Sequence, residues 1–368
     1  MPDVIVVGVG VMGAAVLHRL AARGVAALGI EQFQIGHTHG SSHGRSRVIR
    51  KAYYEDPRYV PLLERAYVLW GELEASSGET LLVRTGCLHL GPRDHEGMAG
   101  VLASVGQHGL AHELLDAAEV RRRYPQFRIA DGDVGVFESD GGILAPERCV
   151  VAQVAAARGL GAQIVEGERV VDVLVEGDSV VVETDRALHV AGAAVLTQGS
   201  WLGRGMPVTV ERQVQLWFEA RSDAFAIGRF PVFMHFAGDQ IFYGLPPFGL
   251  PALKLCRHHG GPTVHPDTVG RDVTAGDEEH VRAWAREHLP EAAGARLLDA
   301  KVCLYTNTAD ANFLIGPVPG EERLFVAGGF SGHGFKFAPV VGEIIADLVI
   351  RGRTLHDIRL FNPGRFEG

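Results

Sequence analysis

The residues best equipped for chemistry in this chain are scarce ones. Only four of 35 basic residues are lysine, and two of these sit between apolar neighbours, in Leu253-Lys254-Leu255 and Phe335-Lys336-Phe337. A chain that uses arginine almost everywhere else keeps lysine where a compact ammonium is wanted rather than a planar fork. Four cysteines, Cys87, Cys149, Cys256 and Cys303, are scattered without a C-x-x-C pair, which excludes a disulfide framework, a zinc ribbon and a thioredoxin motif. The loop from Gly36 to Arg47 carries His37, His39, His43, Arg45 and Arg47 on flexible, donor-rich backbone suited to a polar ligand. No carboxylate or cysteine stands at a matching spacing beside those histidines, so no metal site is expected.

The positions of these residues follow from the elements around them. Val4-Ile5-Val6-Val7 reads as a buried parallel strand, and Gly8-Val9-Gly10-Val11-Met12-Gly13 opens a helical pattern that stops at Gly24. A second strand, Ala26 to Ile30, ends in Glu31. In such a unit Gly8 permits the tight turn, Gly10 lets backbone approach a pyrophosphate, and Gly13 lets the helix pack against the sheet. The diphosphate sits at the positive helix end, and Glu31 is placed to accept from ribose hydroxyls. An adenine dinucleotide is therefore expected, although NAD and FAD share the pattern.

Beyond Glu31 the chain abandons regular βα repeats. A helix follows from Asp56 and Pro57, with Leu62, Leu63, Ala66, Leu69, Trp70 and Leu73 on one face. Short alternating runs start at Leu81, helical patterning returns from Pro146 to Arg158, and β-type runs resume at Gln163, Val170, Val180 and Ala193. A second β-rich block covers Gln213 to Leu255. The chain finishes with a strand at Leu324 to Ala327, a glycine-rich turn and a helix from Val340 to Ile350. The expected class is α/β: a Rossmann-type domain from discontinuous segments (1–85, 147–206 and 310–368) with a β-rich substrate domain (86–146 and 207–309) inserted.

Composition narrows the function. With 46% hydrophobic and 21% charged residues, the chain has ample material for a core, which rules out disorder. A net charge of −9 without a Lys/Arg block argues against a nucleic-acid partner. No apolar run approaches the length of a membrane span, and the N-terminus lacks the basic residues of a secretory signal, so a cytoplasmic protein with no membrane partner is expected.

The turn Gly328-Gly329-Phe330-Ser331-Gly332-His333-Gly334 lies between a strand and a helix, where backbone N–H groups and a helix terminus can face an anion. Together these stretches resemble the monomeric sarcosine oxidase group of the FAD-dependent D-amino-acid oxidase superfamily. The resemblance spans nearly the whole chain. It is carried by Gly8 to Gly13, the run Ser41 to Tyr53, Asp140-Gly141-Gly142, Tyr243 with Lys254, Cys303-Leu304-Tyr305-Thr306, and Gly332-His333-Gly334-Phe335-Lys336. The Ser-Ser-His-Gly run resembles the peroxisomal sarcosine/pipecolate oxidases more than the bacterial sarcosine oxidases, in which Asp-Thr stands in place of Arg45-Ser46.

The resemblance implies FAD as cofactor, joined through a thioether to Cys303. It implies a cofactor site of Gly8, Gly10, Gly13, Glu31, Ser42, Arg47, Gly332, Gly334 and Lys336. Lys254 matches the lysine that serves oxygen, with His43 and Arg47 near the flavin ring. Arg50 and Lys336 match a pair that holds a substrate carboxylate, and Tyr243, His258 and Tyr305 match the cavity wall. The implied reaction is oxidation of a small secondary amino acid (sarcosine, L-pipecolate or L-proline) by O2, giving an imine and hydrogen peroxide, in a monomer. A dehydrogenase using another acceptor and a non-catalytic flavin-binding module are the alternatives.

Overall fold

The computed structural model describes every residue except Arg204 and Gly368. Its first strand, β1 (Val4–Val7), is buried along its whole length, as a strand covered on both faces must be. β1 pairs in parallel with β2 (Ala27–Glu31) on one side and with Ala193–Leu196 on the other. Gln163–Glu166, Glu321–Gly328 and Leu314–Val318 complete a six-stranded sheet. The helix α1 (Val11–Ala21) lies on this sheet and packs against Pro146–Gly159 and Ala338–Arg351. All six strands come from 1–85, 147–206 and 310–368.

A second, eight-stranded sheet is built from strands within 86–146 and 207–309. One edge is formed by two twelve-residue strands, Leu297–Thr308 outermost and Val208–Glu219 beside it, paired antiparallel with Gln213 opposite Cys303 and Glu211 opposite Tyr305. Ala252–His258 pairs with both Val208–Glu219 and Gln240–Leu245, setting Lys254 opposite Trp217 and Tyr243 opposite Cys256. Successive side chains on a strand point to opposite faces. One face of this sheet therefore carries Leu253, Leu255, Phe233 and Phe218, which form an apolar cluster with Trp284 and Val281. The other face carries Lys254, Cys256, His258, Tyr243, Gln213, Cys303 and Tyr305.

A small antiparallel sheet of Arg47–Ile49, Gly142–Leu144 and Leu82–Arg84 connects the two sets of segments and aims the arginine loop at the polar face. Helices Glu96–His108 and Ala275–His288 lie in stretches the sequence reading left without helical pattern. The second begins at a capping box formed by Thr274 and Asp277.

The crossing of α1 and the C-terminal helix needs a residue without a side chain. A Cβ on Gly342 would stand 2.6 Å from the backbone carbonyl of Ala15. Gly342→Ala should therefore destabilise the chain by about 1–3 kcal/mol in denaturant unfolding, because backbone rather than a flexible side chain has to yield.

Candidate active site

The six-stranded sheet meets the polar face of the larger sheet at a cavity of about 420 Å³. At one end are Gly8, Gly10, Glu31 and Ser42; at the other are Arg47, Arg50, Tyr243, His258, Cys303, Tyr305, Gly332, Gly334 and Lys336. Three further candidates from the sequence, Gly13, His43 and Lys254, do not line it.

The glycine end is shaped by close backbone approach. Gly8 has φ of 87°, and a Cβ there would sit 2.9 Å from the Cα of Gln198. At Gly13 a Cβ would overlap the Gly8 carbonyl oxygen at 1.9 Å, so its work is packing inside the turn. Glu31 is buried at the end of β2; one oxygen accepts from Val9 N at 2.7 Å and the other from Phe33 N at 3.0 Å. Burial raises its carboxyl above the usual range. Ser42 Oγ accepts from Val11 N at 3.1 Å, tying the polar loop to the first turn of α1. Bare glycine backbone, a helix start and a buried acid lining one continuous space fit an extended dinucleotide.

The other end is strongly cationic. Arg47 donates to the carbonyls of Ser41 (2.9 Å) and Ser46 (3.0 Å), and its Nη2 lies 3.7 Å from Cys303 Sγ. Gly332, with φ of 78°, has to be glycine here: a Cβ would lie 2.4 Å from the Tyr305 ring. Tyr305 Oη and His258 Nδ1 are 3.1 Å apart. Burial, reinforced by His259, His333, Arg50 and Lys336, holds His258 well below its ordinary value and therefore neutral.

Arg50 is more constrained than its sequence position suggests. Its Nη2 donates to both oxygens of Glu55 at 2.8 Å, and its Nη1 donates to Ala52 O at 2.9 Å. The rings of Tyr53 and Tyr54 stand 4.3 and 4.7 Å from the guanidinium. Burial works against the Glu55 carboxylate, but Arg50, His333 and Lys336 outweigh it and bring its pKa below the usual range. Nothing in the spacing of Arg50 and Glu55 separates this pair from two surface charges, which is why the sequence reading passed over Glu55. Tyr54, Glu55, Met234 and Gln215 join the lining; Met234 was legible only as the cross-strand partner of Tyr243.

Lys336 follows the glycine turn in a short 3₁₀ segment, Phe335–Phe337, just before the C-terminal helix. Its Nζ donates to His333 O at 2.6 Å, while Trp70 Nε1 donates to its carbonyl at 2.9 Å. His333 is fixed in turn by Tyr53 Oη at 2.6 Å and Ala311 O at 2.9 Å. Lys254 lies behind the loop, where its Nζ donates to the carbonyls of Gly44 (3.0 Å) and Ser46 (2.8 Å) and stands 5.1 Å from the Trp217 ring. Burial and then Arg47 lower it to about 7. His43 is buried nearby, and desolvation together with Arg47, Lys254 and Lys301 lowers it to about 3.

A family model described as FAD dependent oxidoreductase matches residues 3–348. The chain belongs to that family. It is 39% identical to monomeric sarcosine oxidase of Streptomyces avermitilis over 99% of this chain and 97% of the relative. It is 35% identical to N-methyl-L-tryptophan oxidase of Salmonella dublin over 99% of both chains. The solved structure of NikD, described as an unusual amino acid oxidase essential for nikkomycin biosynthesis, superposes with a TM-score of 0.86 at 25% identity, covering 98% of this chain and 97% of that one. The L-proline dehydrogenase of P. horikoshii shares the fold, with a TM-score of 0.86 at 23% identity over 100% and 98% of the two chains. Among the described residues no helix is long and apolar enough to cross a membrane.

The titration of Lys336 in this FAD-dependent oxidoreductase has a measurable consequence. Burial and then Arg50 lower its ammonium from 10.5 to about 7. The unfolded chain then binds that proton more tightly, so this group's contribution to stability rises with pH between those values. Anion affinity runs the opposite way, because only the ammonium form attracts a carboxylate. Acetate binding to the cavity should weaken by about tenfold per pH unit above neutrality, as read by calorimetry, and Lys336→Met should flatten that dependence.

Proposed function

We propose that this chain is an oxidase of a small secondary amino acid, of sarcosine, L-pipecolate or L-proline type, giving an imine and passing electrons to O2 to form hydrogen peroxide. The observation that carries this reading is the single cavity that joins a dinucleotide turn to a buried Arg50, Lys336 and Cys303. The family and the full-length likeness to enzymes named as sarcosine and N-methyl-L-tryptophan oxidases support the same class. FAD, when bound, supplies the two-electron acceptor.

The protein's own groups have separable tasks in this reading. Gly8, Gly10, Glu31 and Ser42 hold the dinucleotide, Gly13 lets the turn beneath it close, Arg47, Gly332 and Gly334 enclose its redox end, and Cys303 tethers it by a thioether. Arg50 and Lys336 fix the substrate carboxylate, with Lys336 also close to the cofactor. Tyr243, Tyr305 and neutral His258 wall the amine side and exclude water. The positive surroundings disfavour an ammonium in the substrate, so the amine is pressed to give up its proton before oxidation. Lys254, beside Arg47 and behind the loop that carries it, contributes in its protonated form a positive charge for the negative charge that develops on oxygen, assisted by His43. The segments 1–85, 147–206 and 310–368 act as the cofactor domain, and 86–146 with 207–309 as the substrate domain. The chain acts as a cytoplasmic monomer.

Two measurements test this reading. A panel of secondary amino acids should bleach the purified yellow protein without oxygen and release one peroxide per amine consumed in air. Bleaching without peroxide identifies a dehydrogenase, and no bleaching with any amine identifies a protein without this activity. Acid-precipitated wild-type protein should stay yellow and Cys303→Ser should give a white pellet; a white wild-type pellet removes the tether.

A further inference from the structure

The polar face of the eight-stranded sheet continues past the active-site cavity to a buried cluster with no part in the proposed reaction. Cys87 and His89 stand two residues apart on the strand Cys87–Pro92, and therefore on one face. Glu138, on Asp133–Glu138, is the cross-strand partner of Cys87. Register alone thus brings a thiol, an imidazole and a carboxylate together. Among the described residues, these offer ligand atoms within 4.8 Å of one another.

Two edges of this triangle have the length found in a coordination shell. Cys87 Sγ lies 3.7 Å from His89 Nε2, and His89 Nε2 lies 3.4 Å from Glu138 Oε1. Zinc bond lengths to sulfur, nitrogen and oxygen at tetrahedral angles put S···N at about 3.6 Å and N···O at about 3.4 Å. On the carboxylate side the outer shell is organised: the second oxygen of Glu138 accepts from Lys51 N at 2.8 Å and Ala52 N at 3.1 Å, which leaves Oε1 facing the cluster, while His89 Nδ1 is buried without a hydrogen-bond partner.

We propose that Cys87, His89 and Glu138 bind a zinc-class divalent cation, with a solvent molecule as fourth ligand. Binding exchanges the thiol proton of Cys87 for the metal, and that proton leaves to solvent. Thiolate and carboxylate then balance the dication, so the completed site has no net charge among buried residues. All three side chains are buried, and none lines the cavity. The ion is therefore loaded as the chain folds and acts as a clamp. It pins the backbone after Arg50 to the sheet through Glu138. The proposal departs from the sequence expectation of no metal and does not depend on the flavin reading.

The test uses the whole protein as purified. Material from zinc-supplemented culture, dialysed against a weak chelator, should retain about one zinc per chain by elemental analysis. Cys87→Ser and His89→Gln should each lower that content by about tenfold or more, while Cys149→Ser, at a buried cysteine outside the cluster, keeps it. Protein produced with cobalt should show the visible bands of tetrahedral, thiolate-bound cobalt at wavelengths beyond the flavin absorption. That spectrum decides the matter on wild-type protein if a variant fails to fold. A folded wild-type chain without zinc or a cobalt signature overturns the proposal, as does undiminished zinc in folded Cys87→Ser and His89→Gln, and either result leaves the three residues as hydrogen-bonded packing.

Discussion

The alternation of side chains on the eight-stranded sheet is the constraint on which the rest depends. A one-residue slip in Ala252–His258 would exchange Lys254, Cys256 and His258 for Leu253, Leu255 and Arg257. The apolar cluster behind the sheet makes that slip costly, since Leu253 and Leu255 pack there with Phe233, Phe218 and Trp284. Core packing on one face therefore fixes which residues confront the cavity on the other. The same register carries Cys303 and Tyr305 to the cavity and Cys87, His89 and Glu138 to the neighbouring cluster.

Burial of cations is the second organising feature. Lys254, Lys336 and Arg50 are all almost fully buried, and each is satisfied by a different device. Lys254 uses two loop carbonyls, Lys336 uses His333 O, and Arg50 uses a carboxylate with two aromatic faces. Backbone carbonyls hold an ammonium without cancelling its charge, whereas Glu55 cancels that of Arg50. The lysines accordingly titrate near neutrality, while Arg50 remains charged.

What could be read in the sequence divides along physical lines. The nucleotide-binding unit was legible because its strand, glycines, helix and terminal acid are local and each has its own steric or hydrogen-bonding reason. Lys254 and Lys336 were legible because lysine is rare in this chain. Helices Glu96–His108 and Ala275–His288 were not, since glycine and alanine dilute the apolar period of the first and charged residues dominate the second. Glu55 and the Cys87–His89–Glu138 cluster were also out of reach. Their significance comes from strand register and from the folding of the arginine loop, and neither is a property of local sequence. Lys254 and His43 are expected beside the flavin from the resemblance, whereas the structure buries Lys254 behind the loop and His43 within it, neither on the cavity wall.

Where Arg50, Glu55 and Lys336 line the cavity together, two side chains are positive and one is negative. Their sum is a single positive charge whenever Lys336 holds its proton. A single anionic group balances these three side chains, while Arg47, beside Cys303, adds a further positive charge to the same end of the wall. The Arg50–Glu55 pairing thus sets how much charge this part of the cavity offers an anion, before any contact with the rest of a ligand.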